Sequence, residues 1–241
     1  AHNFIARTTG SRGDKGVLFS VLVTMLISGL IWVLFGAPLA QVMAAPGIGS
    51  ALFWFALGGI LSMVFGRSLV FAAIRGLGVT RSAAVQRLNP FFSVLLAAIL
   101  LAEPLSRNDL LGVALIALSF ALVLQERFRR HGPLAVAAPP LAAYLLGVGG
   151  ALAYALAYVT RKLGLEQVDS AAFGTFVSAS AGFAGFATLA LISARYRRYF
   201  QGIFANLDRW TILAAIMVSF GQILLFAALS HERVSTVVMI A

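Results

Sequence analysis

The chain has 241 residues, of which 61% are hydrophobic and 11% charged, with a net charge of +10, no cysteine and a mean hydropathy of +0.96. A soluble domain carries about 25% charged residues, so this composition excludes one and points to an all-α integral membrane protein. Without cysteine there are no disulfides and no thiolate metal ligands, and surplus Lys and Arg in such a chain mark cytoplasmic loops rather than a nucleic-acid partner.

Charges cluster and leave long neutral windows: 16–66, 88–102, 110–125, 131–160, 170–194 and 210–231. A helix needs about 20 apolar residues to cross the hydrocarbon. The first window holds two spans, 17–37 and 50–76, separated by turn signals at Gly36-Ala37-Pro38 and Pro46-Gly47. Further spans follow at 79–102, 108–125, 138–162, 170–193 and 209–230. Residues 234–241 open another, and residues 1–8 read as the tail of an earlier one. The missing initiator Met and the stop in mid-helix at Ile240-Ala241 read as a fragment cut at both ends. Residues 1–16 have no apolar core after their charges, so they do not form a signal peptide.

Alternate loops carry twelve basic residues: Arg7, Arg12, Lys15, Arg75, Arg81, Arg127, Arg129, Arg130, Arg195, Arg197, Arg198 and Arg209. The other loops carry four: Arg107, Arg161, Lys162 and Arg233. The bias places the first set in the cytoplasm and starts the missing first helix outside.

Residues 65–79 recur 155 positions later as residues 220–234, matching at Phe65/Phe220, Gly66/Gly221, Leu69/Leu224, Phe71/Phe226, Ala72/Ala227, Ala73/Ala228 and Val79/Val234. Five apolar stretches separate the copies. A repeat with an odd number of spans places its copies upside down in the bilayer, the arrangement by which many secondary transporters build two access routes around one site. The expected architecture is therefore a polytopic bundle of two inverted five-helix repeats. The first is residues 1–126, truncated at its N-terminus, and the second residues 138–241, truncated at its C-terminus, with an inter-repeat loop at 127–137.

Several short motifs fall in order. Phe71-Ala72-Ala73-Ile74-Arg75 and Val79-Thr80-Arg81-Ser82-Ala83-Ala84 flank a hairpin, Leu88-Asn89-Pro90-Phe91-Phe92 carries a proline, Leu101-Ala102-Glu103-Pro104-Leu105 forms an acidic turn, and Gly112 follows. In this order and spacing the chain resembles the drug/metabolite transporter (DMT) superfamily, in particular its bacterial ten-helix EamA type. The resemblance implies a multi-pass carrier of the bacterial inner membrane with a central cavity, moving amino acids, other small metabolites or drugs, often outward, with proton or sodium coupling. It also implies cytoplasmic termini, against the charge count.

Arg67 lies about two-thirds along a 27-residue span. A charge at the helix centre costs about 2.5–3.5 kcal/mol on insertion scales, so Arg67 faces a substrate cavity, or else snorkels or pairs with carbonyls. Its repeat mate is Gln222, and polar groups at equivalent positions of inverted halves are expected near the pseudo-two-fold axis. In Gln86-Arg87-Leu88-Asn89-Pro90, Pro90 leaves the Gln86 carbonyl without its usual donor and kinks the helix. Arg87 and Asn89 then join the cavity, or Arg87 reaches the near interface. Tyr154 and Tyr158 share a helix face, Tyr154 toward the cavity or an interface and Tyr158 more often an interface anchor. Gly174, Ser178 and Gly182 repeat every fourth residue, a close-packing signature.

All eight acidic residues lie at span ends or in loops, so no intramembrane carboxylate pair is in place for a metal, a cofactor or enzymatic chemistry. No phosphate-binding loop with its Lys-Ser/Thr is present. The reading that results is a secondary transporter, not an enzyme. Its partners are the lipid bilayer and a small-molecule substrate, an anionic or zwitterionic metabolite held by Arg67 and Arg87. The alternatives are a multidrug or cation exporter of the same superfamily and a non-transporting membrane scaffold.

Overall fold

The computed structural model describes residues 13–129, 140–204 and 207–240. The expected residual span at 1–8 and most of the 127–137 loop lie outside the described residues. The chain order is α1 (Gly13–Phe35), α2 (Leu39–Met43), α3 (Ile48–Gly59), a π-helical segment π1 (Ile60–Gly66), α4 (Arg67–Gln86), α5 (Leu88–Leu100) and α6 (Arg107–Arg129). It continues with α7 (Leu141–Gln167), α8 (Ala171–Ile192), α9 (Ala194–Gln201), α10 (Arg209–His231) and α11 (Val234–Ile240). There is no β-strand among the described residues. Five helices are long and apolar enough to cross a membrane: Gly16–Phe35, Ile48–Gln86, Leu141–Gln167, Ala171–Ile192 and Arg209–His231. This is the all-α membrane bundle that the composition requires.

The turn signals act where the sequence places them. Gly36 ends α1, the proline-bounded segment 38–46 holds only the short α2, and α3 starts after Gly47. Gly78 has φ 77° and ψ 171° and splits α4 into the two arms of the expected hairpin. A left-handed φ of this kind is open to glycine without the steric penalty of a Cβ. The break near Pro90 falls earlier than expected. The helix stops at Arg87, whose N–H reaches back to Ala84 O at 3.2 Å, and restarts at Leu88. Pro90 therefore sits in the first turn of α5, where its missing N–H costs nothing.

α7 is the centre of the bundle, packing against α3, π1, α4 and α5, while α1 packs against α8 and α10. The Gly174/Ser178/Gly182 stripe serves the close packing expected of it. Gly174 faces the rings of Phe55 and Phe226, Gly182 faces Met63, and Ser178 Oγ donates to Phe55 O at 2.8 Å. Gly59 lies directly against the Ser178 backbone. Outward, Leu26, Leu30, Val33 and Phe35 on α1 and Leu111, Leu115, Leu118 and Leu122 on α6 are exposed, as a lipid-facing surface requires.

One end of the bundle is tied across the chain. Ala102, at φ 51°, turns the backbone after α5 and presents Glu103. The Glu103 carboxylate accepts from Val234 N (2.9 Å), Ser235 N (3.2 Å) and Ser235 Oγ (2.9 Å), so it caps the start of α11. Beside it Arg233 Nη1 donates to Pro104 O at 3.1 Å, and Lys162 Nζ donates to Leu229 O and Glu232 O at 2.8 and 3.0 Å. At the start of α10, Asp208 Oδ1 accepts from Thr211 N at 2.7 Å.

Candidate functional site

The described interior buries two charged side chains, Arg67 at 2% exposure and Arg161 at 0%. Arg67 begins α4 where the π segment ends. Its Nη1 donates to Ser20 Oγ on α1 at 2.6 Å, and its guanidinium also meets the Tyr154 hydroxyl of α7. Ser20 in turn donates to Val17 O at 2.9 Å. The ring of Tyr154 lies against Gly66, which has no side chain to hold it off. Arg67 is thus turned inward and bound to protein groups.

Arg161 was assigned to a loop by the sequence, and the structure corrects this. α7 does not stop at residue 162 but runs on to Gln167, which leaves Arg161 within the helix and Lys162 capping α10. Arg161 Nη2 donates to Ser62 Oγ of π1 at 2.6 Å and to Gln222 Oε1 of α10 at 3.2 Å. Its Cζ sits 4.9 Å from the Phe226 ring centroid and 5.9 Å from that of Tyr158. Gly58 makes room for its stem, since a Cβ there would lie 3.2 Å from Arg161 Cγ. Nε and Nη1 of Arg161 are buried with no hydrogen-bond partner. The two arginines are close enough to repel one another, with Tyr154 beside both.

The π segment explains how two helices converge on this point. Residues five apart on an α-helix diverge by about 140°, whereas a π turn closes i onto i+5 and brings them nearly into line. Ser62, which holds Arg161, and Arg67 are five apart across π1. Gly58 and Gly59 precede the segment and Gly66 ends it, so the irregular turn can be packed closely by α7 and α8.

The other expected site residues divide. Gln222 joins the cluster, but its partner is Arg161 rather than its repeat mate Arg67. Tyr154 joins it through Arg67. Asn89 Nδ2 donates to Tyr158 OH at 3.4 Å and Asn89 Oδ1 accepts from Ser93 Oγ at 3.2 Å, which places Asn89 at the edge of the cluster. Tyr158 is half-buried beside Arg161 and Asn89. Arg87 is exposed at the break between α4 and α5 and is not drawn in with Arg67. Its neighbour Gln86 turns to the Gly147 carbonyl of α7 at 3.1 Å. One signal in the sequence pointed to Arg161: Leu163-Gly164-Leu165 continue the apolar pattern past the Arg-Lys pair.

This arrangement offers guanidinium donors, hydroxyls and an amide around a buried point, with no acidic side chain among the described buried residues. Guanidinium N–H groups are donors of the kind that pair with carboxylate and phosphate groups. Among the described residues no group of three or more His, Asp or Glu is placed to hold a metal ion. Comparison with protein families finds a match to the EamA-like transporter family over residues 4–125, half of the chain. A search of curated proteins found no match.

Proposed function

Since this chain belongs to the EamA-like transporter family and is a multi-pass membrane protein, we propose that it exports a small anionic or zwitterionic metabolite by alternating access. The observation that carries the substrate class is the pair of buried guanidiniums, Arg67 and Arg161, with no carboxylate among the described buried residues. An uncompensated charge in a low-dielectric interior is costly, and a bound anion relieves that cost. The recurrence of residues 65–79 at 220–234 supports two inverted halves working around this midplane cluster. The helices and the family fit a bacterial inner membrane, where a proton or sodium gradient would supply the driving force.

The test is counterflow exchange in liposomes with neutral amino acids, dicarboxylates, phosphorylated metabolites and a quaternary ammonium. Wild type exchanges anionic or zwitterionic solutes, and Arg67→Ala abolishes exchange while still inserting. Exchange of the quaternary ammonium alone would favour a cation exporter. Normal exchange by Arg67→Ala would remove Arg67 from the site.

A further inference from the structure

Arg161 holds an unused binding valence at the centre of the bundle. Its Nη2 is doubly engaged, by Ser62 and Gln222, yet Nε and Nη1 have no partner although the residue is fully buried. A buried donor left unpaired forfeits the hydrogen bonds it made to water, and the loss is larger for a charged group. Arg67 differs: its nitrogens are not among the unpartnered buried atoms. Protein groups engage Arg67, while two nitrogens of Arg161 are left for something else.

The surroundings narrow what that something is. Phe226 presents its ring to the guanidinium carbon at 4.9 Å, and Phe226 is itself 0% exposed, so one face of Arg161 is covered by hydrocarbon. A ligand then approaches along the guanidinium edge, where the fixed fork of N–H groups matches a planar carboxylate. Arg67 adds a second positive charge nearby, and Tyr154 and Tyr158 add hydroxyls. Gly58 and Phe226 press on Arg161 from two sides, which favours a compact ligand.

We propose that Arg161, through Nε and Nη1, is the docking point for the carboxylate of a compact solute carried by this protein. The inference rests on the carrier reading above and names the group that the site recognises. Arg161 belongs to α7, and it reaches Ser62 on π1 and Gln222 on α10, so a carboxylate docked there touches a junction of three helices. Ser62 lies in the first of the two expected repeats, residues 1–126, and Arg161 in the second, residues 138–241. A ligand at their contact is placed to sense any relative movement of the two.

The experiment measures ligand-induced thermal stabilisation of the intact purified protein with propionate, propylphosphonate and propylammonium, alongside counterflow in liposomes. Propionate stabilises wild type. Arg161→Met loses that response or needs about tenfold more propionate, as expected when charged hydrogen bonds are removed. Arg161→Lys, which keeps the charge without the fork, is also weakened. Lys162→Met, which removes a neighbouring positive charge outside the cluster, keeps the response. Unliganded Arg161→Met that melts at or above wild type shows that the loss is not unfolding, and Arg161→Lys carries the test if Arg161→Met does not fold. Propionate binding within about twofold of wild type in both Arg161 variants overturns the inference. Response to the phosphonate alone overturns the carboxylate assignment. If Arg161→Met still exchanges solutes that Arg67→Ala cannot, the carrier reading stands and the role of Arg161 falls. If wild type binds propionate through Arg161 but exchanges no anionic or zwitterionic solute, the site stands and the transport reading falls.

Discussion

Glu103→Ala removes a carboxylate that accepts three hydrogen bonds, from Val234 N, Ser235 N and Ser235 Oγ, all between 2.9 and 3.2 Å. Hydrogen bonds to a charged group contribute about 1.5–3 kcal/mol each in favourable settings, but they share one acceptor here and do not add. Glu103 is half-buried at the end of the bundle, where water can replace part of what is lost. The nearest parallel is loss of a helix N-cap, about 0.5–2 kcal/mol, and the third bond puts Glu103→Ala near the top of that range, at about 2 kcal/mol. Ser235→Ala, which loses one hydroxyl bond, costs about 1 kcal/mol. Because the two groups touch, the double variant is less destabilised than the sum, with a coupling of about 0.5–1.5 kcal/mol. Equilibrium unfolding in mixed micelles, followed by tryptophan fluorescence, reads all four corners of the cycle. Strict additivity, or a Glu103→Ala protein as stable as wild type, would show that this tie between the α5 and α11 ends carries no energy.

Three further substitutions probe packing and pH. A Cβ on Gly59 would lie 2.7 Å from Ser178 C and 2.8 Å from Ser178 Cα, against an ordinary contact of 3.4–4 Å, so α3 and α8 must part. Gly59→Ala is expected to destabilise by about 1–3 kcal/mol. Gly221→Ala, whose Cβ meets nothing within 4 Å, gains up to about 1 kcal/mol from helix propensity. Melting of the two variants in the same detergent checks the contrast, and equal behaviour would refute the close approach. Asp208 is held below the ordinary carboxylate range by its hydrogen bonds to Thr211. A depressed folded value means that its stabilisation is fully present above the unfolded value of 3.8 and fades as pH falls through the folded one. Asp208→Asn should therefore flatten the acid end of a melting-temperature profile, below about pH 4, and leave its shape at neutral pH unchanged.

Much of the bundle is legible in the sequence because lipid imposes so few solutions. Neutral windows gave the helices, and Gly36, Pro46 and Gly78 ended them, since backbone polar groups must be satisfied within each helix. Arg67 was singled out for the same reason: a charge within a long apolar span is costly unless it faces inward, snorkels or finds a partner. Arg161 was not, because beside Lys162 it resembles the charged border of a span, and only the packing of π1 and α10 around it draws the helix onward. Arg87 erred in the opposite direction. Proximity to Pro90 marked a break correctly in kind, but a break frees a side chain to leave the bundle as readily as to enter it. The partnership of Gln222 with Arg161 depends on contacts between residues 61 positions apart, which no local pattern encodes. The π segment has no local signature beyond its flanking glycines.

That segment has a consequence for how the chain can change in length. A π turn holds one more residue than an α turn, so Ile60–Gly66 acts as an insertion absorbed within a continuous helix. Deleting a single residue there would let the stretch relax to α geometry without breaking any helix. Four residues would then close the turn that five close now, and residues four apart share a face of an α-helix, so Ser62 and Arg67 would stay nearly in line. A protein shortened in this way would keep its spans and the alignment of its site, whereas the same deletion in the regular helix of α3 would rotate everything downstream by about 100°. The register of the arginine cluster therefore has slack for one residue between 60 and 66 and none in the regular helix on either side.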